Sequence, residues 1–393
     1  MRVIHIITRM IIGGAQENTL FNCLDLRGEF GDDVLLVSGP SLGPEGDLLT
    51  QGRAGDLAIR LVPELVRAIH PRLDWQALQT LRRIIREFKP DVVHTHSAKG
   101  GMLGRRAAFL ERVPAIIHTV HGAPFHPYQP WLAQQLFRLC ETRAAQWCDK
   151  LISVADAMTD LLVKANVAPA EKFQTIYSGM DVEPFLNAEQ TRTKTRASLG
   201  IQPHQIVIGK IARLFKLKGH DDLIAASPAL VAACPDVRFL IVGDGILREP
   251  LQQRIEQLGL GGHFIFTGLV PPQEVPSLIG AMDALVHTSY REGLARALPQ
   301  ALIAGRPVVS YDVDGAREVT IDRETGYLIP PGNIDMLSRR LTDLVQSRAD
   351  RERMGNNGRT RFTNQFRHQT MTQQIRMLYA QLLDQSRRTP VKE

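Results

Sequence analysis

The sequence predicts an α/β protein built from two parallel sheets, each covered by helices on both faces. Three observations predict it. Short β-branched runs alternate with amphipathic helical stretches from end to end. A polar segment interrupts that rhythm once, near residue 185. The 393 residues also exceed what one ordinary hydrophobic core organises.

In the first half, VIHII, DVLLVSG, DVVHTHS, AIIHTVHG and KLISVA read as strands. Between them, LQTLRRIIREF sets Leu78, Leu81, Ile85 and Phe88 on one helical face and Arg82, Arg83 and Arg86 on the other. The alternation implies right-handed βαβ units and a parallel, Rossmann-like sheet. The rhythm restarts at IVIGKIA and continues through VRFLIVG, HFIFTG, DALVHTS and PVVSYD. The segment EPFLNAEQTRTKTRASLGIQPHQ between the two series reads as a linker with a short helix. The expected domains are therefore 1–185 and 186–363, followed by a C-terminal helix within 364–393. On that helix Phe366, Met371, Ile375, Leu378 and Leu382 form an apolar face that needs a partner. In doubly wound sheets ligands bind at the carboxyl ends of strands. Two such domains are expected to face each other across a cleft that holds the site.

Composition narrows the class. Hydrophobic residues make up 44% and charged residues 22%, the balance of a globular protein in water. No apolar run is long enough to cross a bilayer. MRVIHIITRMIIGG is interrupted by Thr8 and Arg9 and lacks a small-residue cleavage site, so it reads as a buried strand entering a glycine loop. A cytoplasmic protein is expected, with a place at the inner face of the membrane left open. Cys23, Cys140, Cys148 and Cys234 show no CxxC pair and read as small buried hydrophobes. The net charge of +6 lies wholly in 186–393, where 27 basic residues face 21 acidic ones. No zinc finger, RNA-recognition aromatic motif or basic zipper accompanies it, and no nucleic-acid partner is expected.

The candidate site residues follow strands. Gly13 and Gly14 lie between the first strand and a helix, where glycine lets backbone N–H groups approach a phosphate or simply permits a tight turn. The absence of GxGxxG argues against a dinucleotide-binding dehydrogenase. In ARLFKLKGHDDLIAA, Arg213 and Lys218 suit a diphosphate, as a forked donor and a point charge, or form a solvated patch. In SYREGLARALPQALIAGRPVV, a loop carries Glu292 before a helix beginning near Ala297. There the N–H groups of Gly293, Leu294 and Ala295 can meet an anion, and the carboxylate can accept from sugar hydroxyls. Asp312 and Asp314 form a DxD, read as a polar turn rather than a metal site.

Taken together, the glycine loop, THSAKGGMLGR, TVHG, ARLFKLKG, IVGDGILREPL, FTGL, REGLARALPQALIAGRPVV and ETGYLIP resemble the family 4 retaining glycosyltransferases of the GT-B fold. The resemblance spans nearly the whole chain. It implies that Arg213 and Lys218 bind the donor diphosphate, that Glu292 and His121 contact the donor sugar, that Gly14 brings its amide to the phosphate, and that Leu269 lies near the base. It also implies a same-face transfer that needs neither metal nor other cofactor, and a C-terminal helix returning to the first domain. The second acid of the family's EX7E element falls at position 300, where this chain has Gln300. An amide pairs with a ribose less symmetrically, at a cost of about 1–2 kcal/mol.

The expected donor is a nucleotide-diphosphate sugar, UDP-linked in preference to GDP-linked. The acceptor is a saccharide or a lipid-linked saccharide, in cell-surface polysaccharide or glycolipid synthesis. Residues 82–112 hold eight basic side chains against three acids. Lys99, Arg105 and Arg106 among them would grip an anionic acceptor or an anionic membrane surface, or form a solvated basic helix. Two other readings remain open: a GT-B epimerase or phosphorylase, and a sugar-nucleotide-binding protein without catalysis, which Gln300 suggests.

Overall fold

The computed structural model describes residues 1–41, 47–49 and 55–388. The chain forms two compact units, 1–180 with 366–393, and 181–365. In chain order the first unit contains β1 (Arg2–Arg9), α1 (Gly14–Gly28), β2 (Asp33–Gly39), β3 (Ala58–Leu61), α2 (Pro71–Phe88), β4 (Val92–His96), α3 (Ala98–Leu110), β5 (Ala115–Val120), α4 (Trp131–Ala145), β6 (Lys150–Ser153), α5 (Asp156–Lys164) and β7 (Phe173–Thr175). The second contains α6 (Glu183–Leu186), α7 (Arg192–Ser198), β8 (Ile206–Ile211), α8 (His220–Ala233), β9 (Val237–Val242), α9 (Arg248–Gln257), β10 (Phe264–Gly268), α10 (Val275–Ala281), β11 (Ala284–His287), α11 (Ala297–Ile303), β12 (Val308–Tyr311), β13 (Gly326–Ile329), α12 (Ile334–Gln346) and α13 (Arg348–Phe362). Helix α14 (His368–Arg388) completes the first unit.

Both sheets are parallel. The first runs β3-β2-β1-β4-β5-β6-β7 and the second β10-β9-β8-β11-β12-β13. The strand order reverses beside β1 in one and beside β8 in the other, so the loops after β1 and β4, and after β8 and β11, diverge at a switch point. The interior strands are buried along almost their whole length, because helices cover both faces. Three strands were not expected: β3, β7 and β13. All three lie at a sheet edge, and β3 is largely exposed, so none carries a strong apolar signal.

The first unit's core joins Val3, Ile7, Leu36 and Ile117 to Met371, Ile375, Leu378 and Leu382 of α14, so the apolar face of that helix is spent within the unit. Polar contacts fix its position. Asp25 receives His368 Nδ1 at 2.7 Å and Thr372 Oγ1 at 2.8 Å, and the buried Asp32 pairs with Arg376 and with the amino group of Met1. Met180 N–H donates to Phe366 O and His368 N–H to Met180 O. This bridge closes the unit at residue 180, five residues before the expected boundary.

The segment expected as a linker is a packed part of the second unit. Asp283, just before β11, accepts from Arg192 at 2.6 Å, from Arg196 at 2.5 Å and from the Val207 N–H at 2.7 Å. Arg196 also donates to the carbonyls of Ala281 and Gln205 and is buried. Its polar composition reflects charges used inward. Removing one partner of a buried ion pair typically costs about 3–5 kcal/mol. Asp283→Ala is therefore expected to lose about 3 kcal/mol in urea unfolding. A variant with the wild-type midpoint would show that α7 contributes nothing to the unit.

Candidate active site

The loops at the second unit's switch point hold most of the residues singled out in that half. Arg213 and Lys218 lie between β8 and α8, and Glu292 lies between β11 and α11. Lys218 Nζ forms an ion pair with Glu292 Oε1, and His287 Nε2 lies 3.5 Å from the same oxygen. Burial would raise the Glu292 carboxyl, but hydrogen bonding and charge from His287 and Lys218 outweigh it. They hold the group at about 2, against an ordinary 4.5. The Arg213 guanidinium is exposed and stacks over Phe215, 5.1 Å from the ring centroid. Lys216, between Arg213 and Lys218 in the chain, is exposed.

Backbone contacts set the shape of these loops. Leu214 N–H donates to Asp244 O, and Leu247 N–H to Leu214 O. Gly243 (φ +131) belongs to this contact, since a Cβ there would sit 2.2 Å from Ala212 O. Gly219 (φ +62) packs against Thr288, whose carbonyl would lie 1.9 Å from an added Cβ. Glu292 N–H donates to Asp314 Oδ2 at 2.6 Å, while Asp312 receives Arg317 in two bonds. The two carboxylates of the DxD are thus turned to separate internal partners. The N–H groups of Gly293, Leu294 and Ala295 have no hydrogen-bond acceptor among the described residues. Gln300 sits half-buried on α11, and Leu269 is exposed just after β10.

Sequence reasoning missed Lys210. It lies fully buried on β8, donating to Thr288 Oγ1 at 2.6 Å, and Thr288 donates on to Gly219 O. Burial pushes its ammonium down to about 7. The signal was present as a lysine in the middle of the apolar run IVIGKIA. His287, equally buried at the end of β11, was visible in DALVHTS.

In the first unit, Gly13 caps α1 with an extended backbone and Gly14 opens the helix. His121 follows β5, with Nε2 at 3.2 Å from His96 Nδ1. Two residues assigned to the acceptor are used internally. Lys99 pairs with Asp74 at 2.6 Å and donates to Ala68 O. Arg105 is fully buried, 2.8 Å from Glu141 Oε1. The glycine-rich start of α3 draws that helix against the sheet, and Arg105 is buried with it. Arg106 lies over Trp147, 4.9 Å from its ring centroid. Lys99 and Arg105 are thus spent on internal carboxylates, while Arg83, Arg86, Lys89 and Arg112 of the same run are exposed.

Residues 29–184 match the model of Glycosyltransferase Family 4, and residues 191–361 that of the Glycosyl transferases group 1. The chain belongs to the family 4 glycosyltransferases of the GT-B fold. Among relatives of this glycosyltransferase, the Escherichia coli UDP-Gal:alpha-D-GlcNAc-diphosphoundecaprenol alpha-1,3-galactosyltransferase is 26% identical over 98% of the chain and 97% of its own length. The Staphylococcus aureus capsular polysaccharide biosynthesis glycosyltransferase CapM is 23% identical, covering 80% of this chain and 82% of its own. The glycosyltransferase also shares its fold with Anabaena Alr3699/HepE in complex with UDP, at TM-score 0.81 and 22% identity over 97% of this chain and all of the other.

The depressed Glu292 carboxyl has a consequence for stability. Its pairing stabilises the fold fully above about pH 4.5, and that contribution disappears as pH falls toward about 2. Glu292→Gln is expected to melt below the wild type at pH 7, with the gap narrowing through this window. A gap independent of pH would mean that the carboxylate is not held by its neighbours.

Proposed function

We propose that this glycosyltransferase moves a sugar from a UDP-sugar to a lipid-linked saccharide with retention of anomeric configuration, in cell-surface polysaccharide or glycolipid synthesis. The observation that carries this reading is the Lys218–Glu292 pair, set beside Arg213 and three loop N–H groups without acceptors. Without donor the two charges satisfy each other. A diphosphate takes Lys218 and Arg213, and Glu292 is then released toward the sugar hydroxyls. As the nucleoside diphosphate departs, the two cations and the loop N–H groups offset the charge growing on its phosphate. The sugar passes through an oxocarbenium-like state, and the leaving phosphate accepts the acceptor proton. Gln300 pairs with the ribose, and His121 contacts the donor sugar. No metal is required, because the cations of the chain do the work of one. The UDP-Gal donor and diphosphoundecaprenol-linked acceptor of the E. coli galactosyltransferase, and the UDP in the Anabaena complex, support the donor and acceptor classes.

This assignment is tested with a UDP-sugar panel and a synthetic polyprenyl-diphosphate sugar, in excess EDTA, with the product anomer read by NMR. Transfer with retained configuration is expected. Arg213→Ala and Lys218→Ala should each lose about 10²-fold or more in turnover while remaining folded, with Lys218→Ala melting below the wild type because it leaves Glu292 without its cation. Wild-type turnover in both would remove the donor site. Strict dependence on added Mg or Mn would overturn the metal-free reading.

The acceptor class also calls for a place at a membrane, and α4 offers one. Trp131 (68% exposed), Leu132 (74%), Leu136 and Leu139 (66%) lie on one side of this helix, with Tyr128 just before it. Arg138 and Arg143 are exposed beside them, and the helix's one acid, Glu141, is buried against Arg105. An apolar stripe bordered by arginines and free of exposed carboxylates suits the surface of an anionic bilayer. Trp131 fluorescence should shift to the blue with phosphatidylglycerol vesicles and much less with phosphatidylcholine, and Leu136→Glu/Leu139→Glu should abolish flotation with the vesicles. Flotation unaffected by the double substitution would place the contact elsewhere. A change in oligomeric state without vesicle binding would make α4 a protein interface.

A further inference from the structure

The first unit buries an unusual concentration of imidazoles. Of the chain's twelve histidines, His5 on β1, His94 and His96 on β4, and His118 on β5 are buried at the centre of its sheet, and His121 follows β5. Three of the five form a row. His5 Nδ1 lies 3.0 Å from His96 Nε2, and His96 Nδ1 lies 3.2 Å from His121 Nε2. Successive rings are stacked, with centroids 5.3 Å and 5.5 Å apart. His94 stands beside the row, held by Tyr379 OH at 2.5 Å and Thr119 Oγ1 at 2.7 Å.

Burial pushes His5 down to about 3 and His96 well below its ordinary value, so both rings are neutral. A neutral imidazole has one N–H and one bare nitrogen. Each contact in the row needs one of each, so the protons along it are correlated. Either every ring donates from Nδ1 toward His121, or every ring donates from Nε2 away from it. The far end decides between them. His5 Nε2 is buried and has no hydrogen-bond partner. The second arrangement would leave an N–H there with no acceptor, and a buried orphan donor is the rarer and costlier defect. The first leaves only a bare lone pair. His121 therefore accepts at Nε2 and keeps its proton on Nδ1. An imidazolium at 121 would carry N–H on both nitrogens and would lose the bond from His96.

The same cluster has the composition of a metal site, since ligand atoms of His5, His94 and His96 lie within 4.8 Å of one another. Five of their six ring nitrogens are already engaged by protein partners, and only His5 Nε2 is spare. Hydrogen bonding accounts for the arrangement without an ion.

We propose that His5 and His96 are positioning residues for His121, a hydrogen-bonded row that holds its ring in one orientation and in the Nδ1–H tautomer. Its use in catalysis rests on the reading that His121 contacts the donor sugar; the tautomer does not.

The test is a long-range ¹H–¹⁵N correlation of the imidazole nitrogens in the labelled full-length protein, with metal content measured on the same sample. His121 is expected to show a protonated Nδ1 and a bare Nε2. His96→Leu should release it to a mixture of tautomers and lower kcat on the order of tenfold, the size expected when an orienting partner is lost. Acceptor KM should stay near the wild-type value. His96→Asn, whose amide N–H can replace the Nδ1 donor, should restore both the tautomer and part of kcat. A wild-type His121 protonated on Nε2 or on both nitrogens overturns the proposal, as does a tautomer unchanged in His96→Leu. One equivalent of bound metal also overturns it, in favour of a metal site. If the tautomer behaves as expected but His121→Ala keeps wild-type donor kinetics, the row stands and the donor-sugar contact falls.

Discussion

In both sheets the interior strands send side chains to helices on each face, and a charge placed there has no water to solvate it. Several charged residues buried beside the sheets are held by specific partners. Arg105 meets Glu141, Arg196 meets Asp283, and Asp32 meets Arg376 and the Met1 amino group. Lys210, His94 and His96 are held by hydroxyls and imidazoles, and burial disfavours the charged form of each. The Lys218–Glu292 pair lies instead at the carboxyl ends of the strands, where the switch point opens the loops.

The second unit shows how that placement becomes a site. Lys218 and Glu292 come from loops 74 residues apart and meet in an ion pair. Their loops are held by backbone fit: Gly219 against Thr288, Glu292 N–H on Asp314, Leu214 on Asp244. Asp222 ties the same region together by accepting from the hydroxyls of Tyr290 and Tyr311 at 2.7 Å each. Such bracing keeps two opposite charges in place while leaving them reachable, which is what a site needs if a diphosphate is to displace one partner from the other.

In the first unit the same constraint acts on neutral groups. Five imidazoles at the sheet's centre would be costly if charged, and burial strips the charge from those on the strands. What remains is a directional set of donors and acceptors that ends at His121. Helix α14 takes part through Tyr379, so the C-terminal segment supports this region as well as the core.

The sequence by itself determined the architecture. Alternating β-branched and amphipathic stretches are a local, periodic signal, and every interior strand fell where that signal put it. It also marked the loops, because glycines and charges just after strands are visible in one dimension. It did not reveal the edge strands β3, β7 and β13, which bury too little to leave an apolar pattern. Nor could it say which charges are spent. Lys99 and Arg105 looked like an exposed basic cluster, and the segment 183–205 looked like a linker. Each is instead used inward, against Asp74, Glu141 and Asp283. Only the tertiary structure decided this, because a charge's role depends on what lies within about 4 Å of it, and those partners come from 25 to 91 residues away along the chain.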